Sequence, residues 1–268
     1  MISFFSNLSH PLQALIATIF TWGVTALGSG LVFFFKTIHK NIMDAMLGFS
    51  AGVMVAASFW SLLSPAIELA ERLFRNGWCI VFLGFIGGGL LLFLGDKAFN
   101  HWTMRSGKEQ LTRGSLKRCW MLIFSITLHN IPEGLAVGVA FGSLAYGLEG
   151  ATLPAACLLA LGIGIQNLPE GTAVSVPLRR EGFSRRKSFF FGQISGIVEP
   201  ISGLIGALLV LKVQALLPFL LSFAAGAMVY VVVQELIPES QTNQRKEVMA
   251  LFTLVGFSIM MILDVALG

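Results

Sequence analysis

Eight times along this chain a run of about 20 apolar residues recurs, the length an α-helix needs to cross a hydrocarbon core of roughly 30 Å. The runs fall near residues 10–35, 42–67, 77–95, 119–144, 152–178, 188–211, 214–237 and 247–267. Hydrophobic residues make up 55% of the 268 and charged residues 12%, about half the roughly 25% of a soluble domain. A soluble fold could not bury so many apolar side chains in one core. The expectation is an all-α polytopic membrane protein, embedded in a lipid bilayer, with eight transmembrane helices in a single domain over residues 1–268.

Basic residues orient the spans. With the N-terminus outside, the loops after spans 1, 3, 5 and 7 face the cytoplasm. They carry Lys36 and Lys40, then Lys97, Arg105, Lys108, Arg113, Lys117 and Arg118, then Arg179, Arg180, Arg185, Arg186 and Lys187, and last Arg245 and Lys246. That is 15 of the 18 Lys and Arg, so the positive-inside rule predicts both termini outside. The loop over 96–118 is the most basic. A pI near 9.2 is explained by these loops, and no nucleic-acid partner is expected. The opening MISFFSNLSHP has no Lys or Arg and lacks the basic start of a signal peptide. Cys79, Cys119 and Cys157 are scattered without CxxC spacing and read as small buried apolar residues.

The chain repeats itself. HNIPEGLAVGVAFG from residue 129 is echoed by QNLPEGTAVSVPLR from 166, with Asn, Pro, Glu, Gly, Ala and Val recurring at a constant offset of 37. These stretches lie in spans 4 and 5, which run in opposite directions. A weaker echo joins FSAGVMV (49–55, span 2) to FAAGAMV (223–229, span 7). Antiparallel copies with interrupted helices mark an inverted-repeat transporter, whose site lies between the copies near the midplane. Spans 1–3 are expected to correspond to spans 6–8, and span 4 to span 5.

The residues at the centre of these copies are expensive in lipid. His129 and Glu133 lie four apart on one helix face, with Asn130 bordering it, and Pro132 predicts a bend or opening. Gln166, Asn167, Pro169 and Glu170 repeat the design, and Glu199 sits before Pro200 in span 6. Three carboxylates inside one bundle cost about 2.5–3.5 kcal/mol each on the insertion scale, on the order of 8–10 kcal/mol together. Only Arg72, Arg75 and Lys212 lie outside the cytoplasmic loops, none of them mid-membrane. A divalent cation can neutralise the glutamates. Imidazole, carboxylate and amide donors suit Zn²⁺ or a nearby first-row divalent metal, and Met54 offers a thioether.

HNIPEG, QNLPEG, VEP and the eight-span pattern resemble the ZIP (Zrt-, Irt-like) family of divalent metal transporters, most of all its bacterial and GufA-type members. The resemblance runs over nearly the whole chain. It implies import of Zn²⁺, with Cd²⁺, Fe²⁺ or Mn²⁺ as further substrates, in a bacterial inner membrane. One metal position would use Met54, His129, Glu133, Gln166, Glu170 and Glu199. An adjoining one would use Asn130, Glu133, Asn167, Glu170 and Glu199. Gln166 stands where many relatives have His, and Asn167 where some have Asp, so the second position is expected to be weak or transient. Ser61, Glu68 and Asp264 resemble the family's entrance, and Asp44, Glu235 and Glu239 its exit. Gly84 and Gly88 in span 3 have GxxxG spacing, and the resemblance suggests a homodimer through that helix.

Two rivals compete with this reading. An intramembrane zinc hydrolase needs about three tight ligands and an open water position; the chain has no HExxH and four histidines, His10, His39, His101 and His129. A proton-coupled carrier of a non-metal substrate would use the glutamates as relays.

Overall fold

The apolar runs become long helices because only a helix satisfies every backbone N–H and C=O within one segment in lipid. The computed structural model describes residues 5–35, 39–105, 114–147 and 151–267. In chain order the long helical stretches are α1 (His10–Gly30), α2 (Lys40–Leu73), α3 (Gly77–Arg105) and α4 (Gly114–Ser143). They continue with α5 (Leu153–Arg180), α6 (Arg185–Lys212), α7 (Leu217–Ser240) and α8 (Lys246–Leu267). No strand occurs among the described residues. Local signals set the starts. Thr152 accepts from the Ala155 N–H ahead of Pro154, and Ser184 accepts from the Lys187 N–H, so hydroxyls satisfy donors that the first turn leaves unpaired.

Among the described residues six helices, α1, α2, α3, α6, α7 and α8, are long and apolar enough to cross a membrane. The other two long helices, α4 and α5, carry the polar copies at their centres, and their 30 and 28 residues amount to more than about 40 Å of helix at 1.5 Å per residue.

The helix interruptions lie elsewhere than expected. Both α4 and α5 run on as helix through Pro132 and Pro169; a proline removes one hydrogen bond, and surrounding helices support the rest. The opening falls instead in α6, where residues 195–197 leave the helix between Arg185–Ile194 and Val198–Lys212. Glu199 thus sits in the first turn of a new helix. Two π-helical segments also appear, Ser58–Leu63 in α2 and Val232–Leu236 in α7. Each begins nine residues after the phenylalanine that opens its echo, Phe49 and Phe223.

Packing follows one rule. The most extensive helix pairings are α4 with α6, α2 with α8, α3 with α7 and α1 with α5. Exchanging α1 with α6, α2 with α7, α3 with α8 and α4 with α5 carries this set of pairs onto itself. Close approach is made by glycine. A Cβ on Gly88 would strike the Phe223 carbonyl of α7, and one on Gly226 would strike the Phe85 carbonyl of α3. Gly84 faces Ser222 and Phe219 of the same helix. The GxxxG face is therefore occupied within the protomer, and a dimer through α3 would have to use its opposite face, where Phe82, Leu83, Ile86 and Leu90 are exposed.

Two further expectations meet different outcomes. Cys79 is half-buried and Cys157 exposed, because apolar surface facing lipid carries no penalty, so neither is a core cysteine; the Cys119 side chain lies outside the described residues. Lys36 and the central part of the basic loop, 106–113 with Lys108 and Arg113, also lie outside them.

Candidate metal site

The polar residues of α4, α5 and α6 converge in the interior. Asn130, Glu133, Gln166, Asn167 and Glu199 are fully buried, and His129 and Glu170 are 4% exposed. Gln166 Nε2 donates to Glu133 Oε1 at 2.6 Å, so the two sequence copies touch directly. Asn130 Nδ2 donates at 2.9 Å to the Ser195 carbonyl, which the break in α6 has released from regular helix bonding. Ser50 Oγ of α2 donates to the Gln166 carbonyl at 3.2 Å and ties this centre to a neighbouring helix.

Glu199 is held more fully than the other carboxylates. Thr21 Oγ1 donates to its Oε2, and Thr25 Oγ1 to its Oε1 at 3.4 Å. Asn167 Nδ2 reaches both oxygens, at 3.0 and 2.9 Å. Its place in the first turn after the break adds the favourable end of a helix dipole. A hydroxyl in a membrane helix normally bonds its own preceding turn, so the threonines carry no strong sequence signal one by one. Their spacing was a usable signal: Thr18, Thr21, Thr25 and Ser29 line one buried face of α1.

The amide orientations follow from these partners. Asn130 faces a carbonyl, Asn167 and Gln166 face carboxylates, and each must present its N–H₂. What remains is a set of acceptors. Asn130 Oδ1, Glu133 Oε2, Gln166 Oε1, Asn167 Oδ1 and Glu170 Oε2 are buried with no hydrogen-bond partner among the described residues. Five buried oxygens left without donors are costly, and a cation, which takes up oxygen lone pairs, can satisfy several of them at once. Among the described residues no three His, Cys, Asp or Glu side chains are close enough to hold a metal ion by themselves. An ion here has to draw on amide oxygens as well as carboxylates. Met54 is fully buried in α2, four residues before its π-helical segment.

The outer residues divide. Ser61 Oγ donates to Asp264 Oδ1 at 2.5 Å, and both line, with Glu68, Arg72 and Ser143, a cavity of about 260 Å³. The expected entrance set is thus brought together. The expected exit residues take three different settings. Asp44 is buried and tied to Lys40 at 2.8 Å and to Asn243 Nδ2 at 2.7 Å, which fastens the start of α2 to the α7–α8 loop. Glu239 is exposed near the end of α7. Glu235, in the π-helical segment of α7, places Oε1 3.5 Å from His129 Nε2 with its side chain 28% exposed. It therefore belongs with the buried centre, at its partly exposed edge.

The chain is similar to several known proteins. Residues 105–264 match a family described as ZIP Zinc transporter. The chain is 38% identical to zinc transporter ZIP11 of Homo sapiens, covering 97% of this chain and 98% of that protein. It is 35% identical to zinc transporter ZIPB of Bordetella bronchiseptica, with 98% and 84% covered. With zinc transporter GufA of Myxococcus xanthus the identity is 33%, with 95% and 98% covered.

Proposed function

The chain belongs to the ZIP zinc transporter family, and from that premise we propose how its interior carries the metal. It is a transporter of divalent metal ions, with zinc as its substrate, and not an enzyme. The ion sits among α4, α5 and α6, ligated by Glu133 and Glu170 with His129, Gln166 and the Met54 thioether at its edge. Cd²⁺, Fe²⁺ and Mn²⁺ share enough of zinc's coordination chemistry to compete.

One observation carries the site assignment: five buried acceptor oxygens, all from the two sequence copies, lack donors among the described residues. They form a basin of partial and full negative charge that a divalent cation fits and a neutral substrate does not. Entry is by the cavity holding Ser61, Glu68 and Asp264, and release is by the Glu235 side of His129.

The chain is an integral protein of a bacterial inner membrane with eight spans, both termini outside, and zinc moving to the cytoplasm. Its helices form an inverted repeat of α1–α3 with α6–α8 and of α4 with α5. The self-consistent exchange of helix pairings and the matched π-helical segments support that symmetry. A homodimer, if formed through α3, uses the apolar face turned away from α7.

The test is flux. Purified protein in phospholipid vesicles should take up ⁶⁵Zn²⁺ saturably, with excess unlabelled Cd²⁺ competing. Glu133→Ala and Glu170→Ala should each abolish uptake while eluting as folded protein. Uptake at the wild-type level in both variants would defeat the site assignment.

A further inference from the structure

A groove between α2, α5 and α8 is built differently from the metal pathway. Its volume is about 520 Å³. One wall is Ile42, Ala45, Met46 and Phe49 of α2, and the facing wall is Val248, Met249 and Phe252 of α8 below Arg245. The α2 series runs at i, i+3, i+4, i+7 and the α8 series at i, i+1, i+4, so each lies on one helix face. The back is Leu168 and Pro169 of α5, next in sequence to Asn167 and Glu170. Ile42, Val248 and Phe252 are exposed, so the bore opens sideways.

Only the mouth is polar. Arg245 and Asn41 line it, and no acidic residue lines the groove. Asp44, beside Ala45, is already engaged by Lys40 and Asn243, and Glu170, beside Pro169, belongs to the buried centre. Asn41 Oδ1 accepts from Asn243 Nδ2 at 3.0 Å, which leaves the Asn41 amide with N–H groups to offer. Lys40, held by Asp44 and Thr242, and Lys246 and Glu247 stand beside the mouth in sequence, all exposed. A guanidinium and an amide N–H at the head of an apolar channel seven residues, about 10 Å, deep match one kind of molecule. It has an anionic phosphate at one end and hydrocarbon at the other.

We propose that this groove is a binding site for one anionic phospholipid, its phosphate on Arg245 and Asn41 and an acyl chain between α2, α8 and α5. The proposal depends on the transport reading only for the leaflet, which is the cytoplasmic one, where anionic lipid attracts juxtamembrane basic residues. A lipid seated against Leu168 and Pro169 touches the helix that carries Glu170, so its presence also bears on transport.

The experiment is native mass spectrometry of the full-length protein released from nanodiscs of mixed phosphatidylcholine and phosphatidylglycerol. The wild type should retain one phosphatidylglycerol in preference to phosphatidylcholine. Arg245→Gln should lower that retention about fivefold, the factor contributed by one basic residue near an anionic surface. Met46→Trp, which fills the bore, should lower it in a protein that still binds zinc. Equal retention of the two lipids by the wild type, or undiminished phosphatidylglycerol on Arg245→Gln, would overturn the proposal. Loss of zinc binding would bear on the metal site and leave the lipid result standing.

Discussion

Gln166 Nε2 donates to Glu133 Oε1 at 2.6 Å, and this bond joins residues that hold non-equivalent places in the two sequence copies. Gln166 is the counterpart of His129, and Glu133 that of Glu170. The symmetry of the repeat is therefore broken at its centre. On one side an amide reaches across to a carboxylate; on the other an imidazole turns to Glu235.

Gln166→Leu removes that donor and an acceptor oxygen while keeping the side chain's bulk. Groups that orient metal ligands are worth 10–100-fold in affinity. Zinc affinity, measured by competition with a fluorescent chelator, should fall by about that factor, with the protein still folded.

The hydroxyl of Thr21 bonds a carboxylate that is wholly buried. Thr21→Val keeps the shape and leaves Glu199 short of a donor, at a cost of about 1–3 kcal/mol. Thermal unfolding in detergent should shift down for Thr21→Val and recover for Thr21→Ser. An unchanged transition in Thr21→Val would mean that the bond carries no stability.

Glu235 lies at the edge of the buried centre, partly exposed beside His129. Glu235→Gln should depress the maximal rate of zinc uptake while the half-saturating zinc concentration changes little. A variant that loses affinity at full rate would instead place Glu235 among the principal ligands.

Helix packing makes a separate prediction. Gly226→Val drives a side chain into the Phe85 carbonyl of α3, overpacking of a kind that costs about 1–3 kcal/mol or more. Gly23, whose Cβ would meet nothing within 4 Å, provides the control. Folded yield by size-exclusion chromatography should drop for Gly226→Val and hold for Gly23→Ala.

The buried centre was legible in the sequence because its residues are costly in lipid. His129, Asn130, Glu133, Gln166, Asn167, Glu170 and Glu199 announce themselves by being charged or amide-bearing in apolar runs, and all of them are buried together. What supports them was harder to read: Thr21 and Thr25 are inexpensive in a membrane helix, and only the spacing of the α1 hydroxyls marks a polar face. The break in α6 was hidden by Pro132 and Pro169, which look like stronger breakers but are accommodated inside continuous helices. Asp44 and Glu235 resemble solvated helix ends in one dimension. Only packing shows that one is a structural tie and the other a neighbour of His129.

The most direct measurement of the central claim is anomalous X-ray scattering at the zinc edge from crystals of the zinc-loaded protein. A peak is expected within zinc–oxygen bonding distance, about 2.0–2.2 Å, of Glu133 and Glu170 carboxylate oxygens, and it should be lost in Glu133→Ala. A zinc peak confined to other positions, with none between these two glutamates, would contradict it.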